Sequence, residues 1–125
     1  MFKVFIWAAD LMYQGHAGME DYCIEEVRDW NEAEVLAEQM SYDVINSYSA
    51  IYGAIEEEVA ATADDNMSED EYESLYEETA EGDLCWRIWK IKEEAIKGMS
   101  ERELYTLIDQ EGMDYFVENY CDERY

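Results

Sequence analysis

The feature that most limits how this chain can fold is its charge, a formal −25 at pH 7 on 125 residues. Acidic chains with so large a charge are often disordered, but disordered chains are poor in aromatic residues. This chain has 11 Tyr, 4 Trp and 3 Phe, and 49% of its residues are hydrophobic. We therefore expect a folded protein, and its length predicts a single acidic domain over residues 1–125.

The sign of the charge excludes several classes of function. Binding nucleic acid or an anionic membrane needs clustered Lys and Arg, yet only 8 such residues stand against 33 Asp and Glu. We expect a basic protein partner, no direct nucleic-acid or membrane contact, and a monomer or homodimer. No stretch approaches the 18 apolar residues of a membrane span, and the first ten residues lack the features of a signal peptide, which predicts a cytoplasmic protein.

The hydrophobic patterns predict an α+β fold. Residues 2–9 and 84–91 are rich in β-branched and aromatic types, which predicts two strands covered on both faces, the first of them central in its sheet. A third strand, from Asp21 to Trp30, is predicted as the hairpin partner of the first. We expect a small antiparallel sheet of three or four strands packed with three or four helices.

Capping boxes indicate where the helices begin, because an Asn or Ser three residues before a Glu can accept from a free helix amide. The pairs that fit are Asn31 with Glu34, Ser68 with Glu71, and Ser100 with Glu103. The first helix is expected to carry an apolar stripe, which Asn46, Ser47 or Gly53 could bend or divide: Leu36, Met40, Val44, Tyr48, Ile51, Ile55 and Val59. The second helix should end at Gly82 and the third at Gly112. Residues 115–120 fit either a helical turn or an edge strand.

Motifs of catalysis and of metal binding are weak. The single His16 lies in a glycine-containing turn, and the chain has no GxSxG, no HExxH and no Gly-rich phosphate loop. Asp64, Asn66, Ser68 and Asp70 match alternate positions of a calcium loop, but Glu69 replaces its turn Gly and Leu75 its bidentate Glu. The cysteines, at 23, 85 and 121, form no CxxC pair and are expected to be free buried thiols. We expect no enzyme activity, no cofactor and no dedicated metal site.

The acidic residues are concentrated in one half of the chain. Between Arg28 and Arg87 there are 18 Asp and Glu and no Lys or Arg. A helix from Glu69 to Glu81 would be about 20 Å long, a length over which one strand of duplex DNA carries about six phosphates. That segment has seven carboxylates. Because Glu–Glu pairs at i, i+4 repel each other, this density indicates carboxylates that stand in for phosphates; the alternative is a surface kept soluble by its charge.

The segment EEEVAATADDNMSEDEYESLYEETAEGD, from Glu56 to Asp83, carries this charge pattern. In charge density, small size and Tyr and Trp content, the chain resembles a class of phage-encoded DNA mimics: anti-restriction proteins, some anti-CRISPR proteins and inhibitors of uracil-DNA glycosylase. The resemblance implies a phage or mobile-element inhibitor that blocks the basic DNA-binding channel of a host defence enzyme, in the cytoplasm of the infected bacterium. As the target, a CRISPR effector is favoured over a restriction complex.

The predicted contacts with this target are acidic residues that replace phosphates and two tyrosines that supply packing. They are Glu56, Glu57, Glu58, Asp64, Asp65, Glu69, Asp70, Glu71, Tyr72, Glu73, Tyr76, Glu77, Glu78 and Glu81. The alternative is an acidic adaptor or antitoxin-like module that binds one basic protein without imitating DNA. A third hypothesis is a metal-dependent hydrolase, which tight binding of a divalent ion would distinguish.

Overall fold

Strands and helices combine in an α+β fold, as predicted. The computed structural model describes residues 1–64 and 66–125, and within them it has a four-stranded antiparallel sheet and five α-helices. The elements are β1 (Phe2–Asp10), β2 (Asp21–Val27), α1 (Trp30–Ser47), α2 (Ser49–Thr62), α3 (Glu69–Glu81), β3 (Leu84–Ile91), α4 (Glu101–Glu111), α5 (Met113–Tyr120) and β4 (Cys121–Arg124). None of the described helices is both long enough and apolar enough to cross a membrane.

The strand order is β2-β1-β3-β4, which places β1 and β3 inside the sheet. All residues of β1 from Val4 to Asp10 are buried, so the prediction of a central, doubly covered strand is confirmed. β3 has the predicted bounds, and β2 lies beside β1 as its predicted partner. β2 ends at Val27, before the predicted end, because Trp30 is the first residue of α1.

α1 begins before the predicted capping box, so the prediction that Asn31 caps it is wrong. The carboxylate of Asp29 accepts from the amide of Glu32 at 2.8 Å, the bond that an N-cap residue makes to the third helical residue. Glu32 is also held by Arg28, whose Nε lies 2.7 Å from its carboxylate. Asn31 therefore lies inside the first turn.

The apolar stripe is confirmed in α2 but wrong in the first half of α1. In α2, Ile51, Ile55 and Val59 are buried at the predicted spacing. In α1, Leu36 and Met40 are only half-buried, and the buried face consists of Ala33, Ala37, Ser41, Val44 and Ile45. Small side chains occupy this face because it lies close to the strands: the Ser41 hydroxyl donates to the carbonyl of Ala9 in β1 and accepts from the amide of Cys85 in β3.

Five helices are described where three or four were expected, because the first predicted helix is divided in two and a further helix follows Gly112. Tyr48 is extended, with φ −104° and ψ 117°, and separates α1 from α2. Gly112, at φ 91°, separates α4 from α5, and residues 115–120 are helical, with the edge strand β4 directly after them. The predicted caps are confirmed at Ser68 and Ser100, which accept from the amides of Glu71 and Glu103.

The chain forms two compact units. The first unit comprises Met1–Trp7, Tyr22–Ala37 and Arg87–Tyr125, and its core contains Phe5, Ile24, Ile91, Ile96, Leu104, Ile108, Phe116 and Cys121. The second unit comprises Ala8–Asp21 and Glu38–Trp86, and its core contains Val44, Ile45, Ile51, Ile55, Val59 and Ala80.

The division separates the charges. By sequence, the second unit has 18 acidic residues and no Lys or Arg, a formal charge of −18. The first unit has 15 acidic residues and all eight basic ones, a formal charge of −7. The acidic concentration seen along the sequence is therefore a property of one folded unit.

We expect Ser41→Ala to lower the free energy of unfolding by about 1–3 kcal/mol, because the buried Ala9 and the half-buried Cys85 would each lose a hydrogen bond. Ser47→Ala is the matched control, since the exposed Ser47 hydroxyl bonds only within its own helix, to the carbonyl of Asp43. Urea unfolding of both variants measures the difference. Equal losses would mean that Ser41 does not link the strands to α1.

Candidate functional site

The predicted contact residues lie on α2, on α3 and in the turn between them, all in the second unit. On α2, Glu57 and Glu58 are exposed and Glu56 is half-buried; Asp64 is exposed in the turn. On α3 every acidic residue is exposed: Glu69, Asp70, Glu71, Glu73, Glu77, Glu78 and Glu81. Asp65 lies outside the described residues. The structure thus brings the predicted residues of two packed helices onto one unit.

α3 forms despite its charge because its N-terminal end is well matched to a helix. The Ser68 hydroxyl accepts from the Glu71 amide at 3.3 Å, and Glu69, Asp70 and Glu71 lie in the first turn, where negative charge is favourable. Only Ala80 is fully buried, and Leu75 and Tyr76 are half-buried. The carboxylates therefore cover most of the circumference of α3, with a narrow apolar side left for packing.

Four tyrosines line a groove beside these carboxylates. Tyr42 comes from α1, Tyr52 from α2, and Tyr72 and Tyr76 from α3. With Glu56, Glu73 and Glu77 they enclose about 180 Å³, which we call the tyrosine groove. The sequence analysis included Tyr72 and Tyr76 but missed Tyr42 and Tyr52. Tyr52 lies one helical turn before Glu56, a spacing that could have pointed to it, whereas Tyr42 joins the groove only through the packing of α1.

Hydrogen bonds hold the groove tyrosines in place. The Tyr76 hydroxyl donates to Oδ1 of Asn46 at 3.1 Å, and its ring lies 5.3 Å from that of Tyr52, tilted by 48°. Burial, reinforced by Tyr52, Tyr42 and Glu56, raises the pKa of Tyr76 to about 12. A hydrogen bond to Glu56 raises the pKa of Tyr52. The raised pKa values of Tyr52 and Tyr76 favour their protonated hydroxyl groups, and Glu56, Glu73 and Glu77 supply acceptor oxygens to the groove.

A second acidic feature of this unit is the pair formed by the buried Asp10 and the half-buried Asp83. Asp10 ends β1 with no exposed surface, and its Oδ2 accepts from the amide of Tyr13 at 2.9 Å. The carbonyl of Asp83, which follows α3, accepts from the amide of Leu11 at 2.8 Å. Oδ1 of Asp10 and Oδ2 of Asp83 are buried without a hydrogen-bond partner among the described residues. The sequence offered no sign of this pair, because it forms only when the two chain segments meet.

Burial and the nearby charge of Asp10 raise the pKa of Asp83 to about 6, although a hydrogen bond from the Met12 amide acts in the opposite direction. Glu58 adds a smaller repulsive contribution. The neutral form of Asp83 is thus favoured by the folded state. A carboxyl group that releases its proton near neutral pH links the stability of this unit to pH.

In the described part of the chain, no group of three or more His, Cys, Asp or Glu side chains is placed to bind a metal ion. At the weak calcium-loop match, Oδ1 of Asp64 accepts from the amide of Asn66 at 3.2 Å, so this oxygen stabilises a turn. His16 is exposed in a 3-10 turn. What the site offers chemically is an array of carboxylates beside aromatic rings.

Comparison with known proteins found no match for this chain among protein-family models, curated proteins or solved structures.

Stability should fall as pH rises through about 6, because Asp83 then loses a proton that the folded state holds more tightly than the unfolded chain. This contribution is fully present below the unfolded pKa of about 4. Asp83→Asn, which mimics the neutral acid, should flatten the dependence between about pH 4 and pH 7 and stabilise the protein at neutral pH.

Urea midpoints measured across this pH range test the expectation. Asp70→Asn is the matched control, since Asp70 is exposed on α3. If Asp83→Asn leaves the pH dependence as steep as Asp70→Asn does, another group is responsible for it.

Proposed function

We propose that the protein is a phage or mobile-element inhibitor of a host nucleic-acid-binding defence enzyme, with a CRISPR effector favoured over a restriction complex. It acts as a DNA mimic that occupies the basic DNA-binding channel. The observation that carries this proposal is the second unit, in which 18 acidic residues occur with no Lys or Arg. Within such a unit no basic side chain neutralises the carboxylates, so they are available to a basic partner.

The spacing of the exposed acids supports mimicry of a DNA strand. α3 has 13 residues and so spans about 20 Å, over which one DNA strand carries about six phosphates. The seven acidic residues of α3 are all exposed, and Glu57 and Glu58 on α2 are exposed as well. The number of negative charges per unit length is therefore close to that of the ligand to be replaced.

The charge also favours rapid binding. A surface of one sign attracts a channel of the opposite sign over distances near the Debye length, about 8 Å at physiological ionic strength, and can raise association rates by orders of magnitude. Such steering suits an inhibitor that must occupy a channel before DNA does. Packing of Tyr72 and the partly buried Tyr76 against the target would then slow dissociation.

Competition with DNA is the decisive experiment. Purified CRISPR effectors and restriction complexes are loaded with labelled duplex, and fluorescence anisotropy records its release as the protein is added. Release of the duplex, with mutually exclusive binding, supports the proposal. Binding to such an enzyme without displacement of DNA would overturn mimicry in favour of the acidic adaptor.

Reversal of charge on α3 should abolish this competition. We expect the triple variant of Glu69, Glu73 and Glu77 to Lys to weaken binding to the target by at least about two orders of magnitude, because partner charges would then face like charges. The matched control is the triple variant Glu94→Lys, Glu111→Lys and Glu118→Lys. These residues are exposed in the first unit, and the net change in charge is the same. Circular dichroism checks that both variants stay folded. An equal loss of affinity in the control variant would mean that the contact lies elsewhere or that binding depends on net charge alone.

The protein itself should not bind DNA. Phosphates are repelled by a chain of charge −25, so titration of a labelled duplex at physiological salt should give no saturable signal. Lowering the salt concentration should not restore binding, because weaker screening increases the repulsion. Saturable binding to the duplex would contradict the mimic hypothesis.

A further inference from the structure

We infer that the tyrosine groove receives arginine side chains of the partner and selects them over lysine. The inference rests on the proposed function, because it specifies which basic groups of the target the protein recognises. It depends on tyrosine rings and glutamate carboxylates that line the same groove. It also depends on the absence of basic residues from the sequence of this unit.

The groove presents the two kinds of group that bind a guanidinium ion. Tyr52 and Tyr72 are 40% and 36% exposed, so ring surface is accessible to a ligand. Glu56, Glu73 and Glu77 line the same groove and offer acceptor oxygens beside the rings. A planar guanidinium can stack on an aromatic face while its N–H groups donate to a carboxylate in a bidentate pair.

In the first unit, which contains Lys and Arg, cationic side chains lie over aromatic rings. The guanidinium of Arg87 lies over the ring of Trp7 at 5.2 Å, and that of Arg124 lies over Trp89 at 5.9 Å. Lys90 makes a similar contact with Phe2, at 5.2 Å. The second unit has no Lys or Arg in its sequence, so a Lys or Arg side chain that occupies its groove must come from outside this unit, and the source we propose is the partner.

Arginine suits the groove better than lysine for two reasons. The ammonium of lysine is compact and strongly hydrated, and it cannot form a planar bidentate pair with a carboxylate. The guanidinium is more weakly hydrated, so it loses less hydration free energy when it moves from water into a groove lined by rings. Uniform carboxylate surfaces attract both cations by charge alone, and the tyrosines are what should discriminate between them.

Two peptides of equal length and charge test this selectivity, one alternating Gly with Arg and the other Gly with Lys. NMR titration of the wild-type protein follows the ring signals of Tyr52 and Tyr72. We expect the Arg peptide to bind about two- to five-fold more tightly, because only Arg can stack on a ring and at the same time pair in a bidentate way with a carboxylate. The Tyr ring signals should shift more with the Arg peptide.

Substitutions at Tyr72 show whether the ring is the cause. Tyr72→Phe retains the ring and should preserve the preference for Arg, whereas Tyr72→Leu should lower the ratio toward one, with the ring of Tyr52 and the groove carboxylates still in place. Tyr115→Leu is the matched control, because Tyr115 is 42% exposed on α5 in the first unit. Equal affinities for the two peptides in the wild type, or an unchanged ratio in Tyr72→Leu, would overturn the inference.

The peptide experiment and the DNA-competition experiment can fail independently of each other. If the Arg preference depends on Tyr72 but no DNA is displaced from any defence enzyme, the groove is an arginine site and DNA mimicry is wrong. If DNA is displaced and the peptides bind equally, mimicry stands and the groove plays no selective part.

Discussion

The second unit must fold against its own electrostatic repulsion, and the rest of the molecule is arranged around this constraint. With no Lys or Arg in its sequence, the unit has no basic side chains to form internal ion pairs. Its cohesion therefore comes from apolar burial, in which Ile51, Ile55 and Val59 of α2 pack in one cluster with Ala80 of α3. Repulsion between exposed carboxylates costs only a few tenths of a kcal/mol per neighbouring pair, so a modest core can offset it. What results is an acidic surface to which the unit itself contributes no Lys or Arg.

The tyrosines lie at the boundary between that core and that surface. Tyr76 packs against the core while its hydroxyl donates to Asn46, and the ring of Tyr52 on α2 packs against the ring of Tyr76. Rings with polar ends suit this position because they bury area without removing a charged group from water. The same placement leaves Tyr72 exposed beside Glu73, and this is why the acidic surface has a groove with ring surface in it.

Local signals predicted much of the fold where the decisive atoms are close in sequence. Ser68 and Ser100 cap the expected helices because a cap bond spans only three residues. The same rule placed the first cap at Asn31, although Asp29 also stands three residues before a Glu and makes the bond. Two overlapping candidates satisfy one local pattern, and burial of Ala33, Ala37 and Ser41 is consistent with the choice of the earlier one. The stripe through Leu36 and Met40 was wrong because large residues were assumed to face the sheet, whereas close approach of α1 requires small ones.

The sequence by itself determined the α+β class, the central position of β1, the bounds of β3, and the acidic composition of the segment from Glu56 to Asp83, because these follow from periodicity and charge along the chain. Only the tertiary structure decided which residues act together. It joined Tyr42 and Tyr52 to the predicted Tyr72 and Tyr76, it brought Asp10 beside Asp83, and it placed all eight basic residues in the other unit. The physical reason is that a groove, a partly buried carboxyl pair and a charge division depend on contacts between segments far apart in sequence, which no local pattern encodes.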